Sequence, residues 1–166
     1  KRIGLSYFKE RGFSDEIIKK FELGYNPKQK DAFSKLATLK GYDKNILVNS
    51  GLSLFNSKSE DLIDRFKERA IFPIQSYSGR TLGFGARAFN INAKAKYLNS
   101  PETLIYYKSK VLYGLNLSKT AINKNDLCYI VEGYTDVISM HQVGIENVVS
   151  ASGTALSVEQ IKLINR

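Results

Sequence analysis

Two short apolar runs, Leu127 to Val131 (LCYIV) and Asn147 to Ala151 (NVVSA), flank a stretch with helical periodicity, Thr135 to Val143, that Gly144 closes. A second helical pattern, SVEQIKLINR, follows, with Ser157 and Gln160 placed as a capping box. Strand, helix, strand, helix in that order demands two parallel strands joined by a right-handed crossover. Sheets of this kind bind ligands at the carboxyl ends of their strands. There the sequence reads IVEGYTD, residues 130 to 136, and the second strand ends at the same edge in Ser152, Gly153 and Thr154.

A glutamate at a strand end can ligate Mg²⁺ or act as an acid or base, and glycine lets the chain turn sharply. Asp136 then falls in the first turn of the helix. Two readings stand side by side. In one, Glu132 and Asp136 form a chemical site; in the other, Asp136 favours a helix amino terminus and Glu132 is a solvated loop acid.

Upstream, the pattern differs. The first 64 residues read as short helices: Ser14 caps SDEIIKKF, with Ile17, Ile18 and Phe21 on one face. Asp31 caps DAFSKLATLK, with Phe33, Leu36 and Leu39 inward and Gly41 as the stop, and Asp43 starts a third helix that ends near Gly51. AIFPIQSY and RTLGFGARAF are strand-like, and Ser78-Gly79 between them suits a hairpin turn. Pro73 fits an edge or a bulge better than a central strand. Asn90 to Thr103 reads as irregular. Gly83 and Gly85 lie in a strand, not at a strand-to-helix turn, so they are no dinucleotide fingerprint; they fit the close approach of a ligand or another backbone.

The chain has 166 residues, 43% of them hydrophobic and 25% charged, which is a globular composition. Its single cysteine, Cys128, and single histidine, His141, exclude an internal disulfide and a Cys/His zinc site. Cys128 reads as a buried thiol and His141 as structural. No apolar run approaches the roughly 20 residues that span a bilayer, and no signal-like amino terminus is present; the expectation is a cytoplasmic protein without a membrane partner. The first residue is not methionine and the last lies inside a helical pattern, so the chain reads as a piece of something longer. Between Arg65 and Tyr113 nine Lys and Arg stand against Glu68 and Glu102, a window carrying +7 of the net +9. A basic middle points to a polyanion, either nucleic acid or nucleotide phosphates.

The segment LCYIVEGYTDVISMHQVGIENVVSASGTALSVEQIKLI resembles the opening of the Toprim (topoisomerase–primase) domain. RFKERAIFPI, SGRTLGFGAR, KYLNSPET and KSKVLYGL resemble, in order, polymerase motifs of bacterial DnaG-type primases, and YFKERGFSDEIIKKFELGYNP resembles the start of that catalytic domain. The resemblance implies an α/β protein: an α+β amino-terminal subdomain over 1–124 with short helices and a hairpin, then the first β-α-β-α of a Toprim parallel sheet over 125–166. It implies a part of an enzyme that makes short RNA primers from ribonucleoside triphosphates on a single-stranded DNA template.

Residue by residue, Glu132 matches the Toprim glutamate, acid/base or metal-associated in the family, and Asp136 the aspartate closing that motif. Arg87, Lys96, Tyr97, Asn99, Ser100 and Lys108 match positions of a basic loop region that contacts nucleotide phosphates. Arg65 and Arg69 match a stretch implicated in holding single-stranded DNA, and Arg80 and Lys110 join them. The resemblance further implies Mg²⁺ or Mn²⁺ at Glu132, an Asp-x-Asp motif after Arg166, a zinc-binding domain and a helicase-binding domain elsewhere, and no primer synthesis by these 166 residues alone. Gly85-Ala86 replaces the family's usual glycine pair, a change expected to leave Arg87 in place. Two other classes remain open: a Toprim nuclease or topoisomerase, against which KYLNSPET speaks, and a non-enzymatic nucleic-acid-binding scaffold.

Overall fold

The computed structural model describes residues 2–153 and 155–166; Thr154, one of the small residues at the second strand end, lies outside them. Helix α1 (Arg2–Glu10) and α2 (Asp15–Lys20) lead into strand β1 (Gly24–Asn26), then α3 (Ala32–Leu39) and α4 (Lys44–Asn49). A hairpin of β2 (Ser53–Asn56) and β3 (Asp61–Asp64) precedes β4 (Arg69–Gln75), β5 (Thr81–Ala88) and β6 (Tyr97–Asn99). A 3₁₀ turn at Lys108–Lys110 leads to α5 (Leu115–Asn125), β7 (Tyr129–Val131), α6 (Tyr134–Gln142), β8 (Val148–Ser150) and α7 (Val158–Ile164).

The central sheet is antiparallel with strand order β1-β4-β5-β6. It forms where expected around Ser78-Gly79, Gly79 taking φ +87° in the turn. Strand β4 is interior, so Pro73 is not on an edge strand, but the ladder to β5 shifts register just beyond it, between Ile74 and Gln75, in line with the bulge that is the other expectation. The proline is tolerated because β1 pairs only with residues 69 to 71 of β4, leaving a ladder on one side alone at Pro73. The stretch from Asn90 to Thr103 is not wholly irregular, since Tyr97 to Asn99 adds β6 to the sheet edge. The first 64 residues likewise contain β1, β2 and β3 among the helices.

Helix caps follow local chemistry where the capping side chain is adjacent. Ser14 accepts from the Ile17 N–H, Asp43 from Asn45 and Ile46, and Ser157 exchanges bonds with Gln160. Asp31 does not cap α3. The α3 amino terminus is held instead by Asp64 at the end of β3, whose carboxylate accepts from the Phe33 N–H (2.7 Å), the Ser34 N–H (2.9 Å) and the Ser34 hydroxyl (2.6 Å). This turns Ser34 and Ala37 inward, and Leu36 and Leu39 point to solvent rather than to the core.

Strands β7 and β8 are parallel, as the strand–helix–strand pattern requires. LCYIV is less buried than expected: Tyr129 and Ile130 are each nearly half exposed, because α5 and α6 pack chiefly on β8. Cys128 is half-buried, and burial pushes its thiol pKa up. The main core runs through both ends of the chain, joining Phe8, Phe21 and Phe72 to Tyr134, Val137 and Val148.

His141 sits in that core, edge-on to Phe21. Ser118 donates its hydroxyl to the Val148 carbonyl (2.7 Å), so it accepts from His141 Nε2–H (3.0 Å). Burial pushes the His141 pKa down to about 4; Lys20 adds to the fall and Glu146 opposes it. The unfolded chain protonates its histidine near pH ~6.5. Below that pH the unfolded state holds a proton that the folded state lacks, so stability falls as pH drops from about 6.5 toward 4. The melting temperature is expected to fall by several degrees across this window, and His141→Gln should remove most of the dependence; a flat profile would contradict the assignment.

Candidate active site

Glu132 follows β7 directly, and its place is fixed through the backbone. The buried Ser150 hydroxyl donates to the Glu132 carbonyl (2.8 Å) and accepts from the Ser152 N–H (2.9 Å), tying the ends of β7 and β8 together. The Glu132 side chain is exposed. Asp136 is exposed as well, and its Oδ2 accepts from the Gly133 N–H (3.0 Å), closing the first turn of α6. Among the described residues no three His, Cys, Asp or Glu side chains cluster as metal ligands. Glu132 with the partly engaged Asp136 does not by itself make a divalent-cation site.

Tyr134, absent from the expected site residues, joins the Toprim-like end of the chain to the antiparallel sheet. Its hydroxyl donates to Asn99 Oδ1 (2.6 Å), and its ring stacks on Phe72 at 5.3 Å. A Cβ on Gly85 would lie 2.3 Å from the ring, so Gly85 makes room for a side chain rather than for a ligand or a backbone. Burial drives the Tyr134 pKa well up. Asn99 also reaches the Ser152 carbonyl through Nδ2 (3.4 Å). Asn99, Ser152 and Lys108 then line one small cleft with Tyr106 and Tyr113. No pattern in the sequence pairs Gly85 with Tyr134; the contact is visible only in the fold.

Ser100 lies beneath the loop surface. It is buried, exchanging bonds with the Phe84 backbone: its N–H donates to the carbonyl (2.8 Å) and its hydroxyl accepts from the N–H (2.9 Å). Arg69 donates to the carbonyls of Ala95 (3.0 Å) and Lys96 (3.4 Å), so its guanidinium pins the loop that carries Lys96, and burial lowers its pKa. Lys96 itself is exposed, as is Tyr97 at 46%. Arg87 pairs across the sheet with Tyr97, and buried Ala86 leaves that register intact.

Lys108 and Lys110 lie on a segment clasped by α7: Gln160 Nε2 donates to the carbonyls of Lys108 (3.0 Å) and Val111 (2.8 Å), and the Ser157 hydroxyl to that of Ser109 (2.6 Å). Lys110 sits over the Tyr107 ring at 5.1 Å. Arg80 is exposed beside the hairpin turn, and Arg65 is half-buried after β3 with an unpartnered Nε. Neither is bonded to the Glu132 cluster among the described residues. Asn99, Ser152 and Lys108 thus share one cleft, Tyr134 bonds to Asn99, and Glu132 follows β7 at the strand end that Ser150 ties to Ser152, with Lys96 and Tyr97 at the β6 edge and Arg87 beside them on β5.

An antiparallel sheet with a basic edge, keyed by a tyrosine into the first strands of a Toprim-like fold, defines the class of protein. Residues 1–119 match the family described as DNA primase catalytic core, N-terminal domain, and residues 129–166 match one described as Toprim-like. A DNA primase of Deinococcus radiodurans is 43% identical over 98% of this chain. The RNA polymerase domain of Mycobacterium tuberculosis primase DnaG, solved with a double-stranded DNA bearing a 6-nucleotide overhang, superposes with a TM-score of 0.89 at 38% identity over 95% of the chain. A DnaG primase catalytic domain bound to single-stranded DNA gives 0.80 at 36% over 96%. This chain belongs to the DnaG-type DNA primases, as the amino-terminal domain of the catalytic core with the start of the Toprim region. It spans 28% of the Deinococcus protein and 49% of each of the two solved chains. No helix among the described residues is long and apolar enough to cross a membrane.

Proposed function

We propose that this chain supplies the nucleotide- and template-facing part of an enzyme that makes RNA primers from ribonucleoside triphosphates on single-stranded DNA. The observation that carries the reading is the Tyr134–Asn99 bond, which sets the Glu132 strand end beside the basic loop edge. Phosphoryl transfer depends on positioning and on neutralising charge over the phosphates, which Arg and Lys supply. Arg87 grips a phosphate through paired N–H groups, Lys96 and Lys108 act as point charges, and exposed Tyr97 offers a face on which a base can stack. Arg65, Arg80 and Lys110 contact the template backbone, and Arg69 contributes by holding the Lys96 loop.

Glu132 serves as an acid/base group or as one carboxylate of an Mg²⁺ or Mn²⁺ site, whose other ligands come from regions that the longer relatives possess. The amino-terminal unit extends through residue 124 and the Toprim unit begins at 125. Cytoplasmic location and a replicative helicase as partner complete the reading, together with the DNA bound by the solved relatives.

The test is primer synthesis by a full-length primase carrying this sequence, together with the salt dependence of its binding to single-stranded DNA. The logarithm of affinity should fall against that of salt with a slope near −0.7 per phosphate contact. Charge removal at the exposed Lys96 and Arg80 should make the slope shallower by about one contact each. An unchanged slope would place the template elsewhere, and the absence of RNA product would overturn the activity.

A further inference from the structure

Arg87 is held by a residue far from it in sequence. Its Nη1 donates to the Tyr7 hydroxyl at 2.7 Å, and its guanidinium lies 5.4 Å from the Tyr7 ring centre and 6.0 Å from that of Tyr97. Tyr7 is itself fixed: its ring packs on Phe89 at 4.6 Å, and Phe89 stacks on Tyr25 at 5.0 Å. The guanidinium of Arg11 approaches the same Tyr7 ring at 5.0 Å. Arg87 is part-buried, its Nε is buried without a hydrogen bond, and no carboxylate pairs with it among the described residues.

An arginine with no acid partner ordinarily loses its aim, because its long side chain carries much rotamer entropy. Here two aromatic rings and one phenol oxygen fix the plane of the fork while leaving its charge uncancelled. A neutral acceptor such as Tyr7 suits a group that must meet an anion: a carboxylate in the same place would satisfy the guanidinium and repel a phosphate.

We propose that Tyr7 is a positioning residue, which orients the Arg87 guanidinium so that it can receive a phosphate group. The proposal rests on Arg87 being a phosphate ligand, as read above. The phosphate belongs either to the template backbone or to the incoming ribonucleoside triphosphate, and the two sources are separable.

The test uses a full-length primase with Tyr7→Phe, Arg87→Ala and the double change. Tyr7→Phe removes one oxygen and keeps the ring, so the melting temperature serves as a folding control. The expected result is a roughly three- to tenfold rise in the Kd for an oligo-dT single strand, or in the KM for ribonucleoside triphosphate, with kcat unchanged. A shift in the first arm assigns the phosphate to the template, and a shift in the second assigns it to the nucleotide. In the Arg87→Ala background Tyr7→Phe should add nothing further. If Arg87→Ala weakens either arm while Tyr7→Phe leaves both unchanged, or if the two effects simply add, Tyr7 does not position Arg87. If Arg87→Ala changes neither arm, Arg87 is not a phosphate ligand and the reading beneath the proposal fails first.

Discussion

Glu132→Gln, placed in a full-length primase, is expected to lower the kcat of primer synthesis by about 10²-fold or more, the range of lost acid/base or metal-associated groups, while template affinity stays within about twofold. The substitution keeps the shape of the side chain and removes its charge. Because the Glu132 carboxylate is exposed and none of the hydrogen bonds among the described residues ends on it, folding should not suffer. What fixes residue 132 is its backbone carbonyl, held by the Ser150 hydroxyl, and glutamine leaves that bond intact. The measurements are product per enzyme at saturating nucleotide, single-strand binding by anisotropy and a thermal melt. Full synthesis by the variant would assign Glu132 to solvent, the other reading that EGYTD allows.

Gly85→Ala should destabilise the fold by about 3 kcal/mol and impair synthesis with it. Alanine is a small change and β5 tolerates it conformationally, so the cost comes from the facing side chain. The new methyl would stand 2.3 Å from Cζ and 2.4 Å from Cε2 of Tyr134, a ring only 4% exposed that also stacks on Phe72. Moving the ring breaks the bond from its hydroxyl to Asn99, and with it the link between the basic loop and the Glu132 strand end. A chemical melt of Gly85→Ala, Tyr134→Leu and the pair reads this out. The double variant should lose less than the sum of the two single losses, since leucine vacates the space that the methyl needs. Strict additivity would mean that the ring is not what the glycine accommodates.

Parts of this structure that depend on neighbours in sequence were readable from the residues. Ser14, Asp43 and Ser157 cap the helices that follow them, and the hairpin turns at Ser78-Gly79. The parallel pairing of β7 with β8 follows from strand, helix and strand in succession. Parts that depend on distant residues were not. Asp31 stands where a cap belongs, yet Asp64, carried in on β3, takes the α3 amino terminus and turns Leu36 and Leu39 outward. A three-residue strand such as β6 exists because β5 offers it an edge, and no periodicity marks so short a segment. Of the site, the charged groups were legible from the motifs that contain them. The residues that aim them, Tyr134 on Asn99 and Tyr7 on Arg87, were hidden because tyrosine is abundant in this chain and either role is visible only across the fold. Nor does the motif that carries Arg69 show that its guanidinium also holds the neighbouring loop, through the Ala95 and Lys96 carbonyls.

The Tyr134 contact has a consequence for how the enzyme is made. Residues 72, 85 and 99 leave the ribosome well before residue 134, so the antiparallel sheet emerges with an unfilled notch over Gly85 and an apolar face at Phe72. At bacterial translation rates of about 5–20 residues per second the interval lasts a few seconds, long compared with the collapse of a small sheet. During that time nothing holds the Asn99 loop against its eventual neighbour. The nascent sheet can therefore mature early, but the basic edge acquires its shape only when the tyrosine arrives, and a pause in translation between these points lengthens the time for which that apolar notch stands open to chaperones.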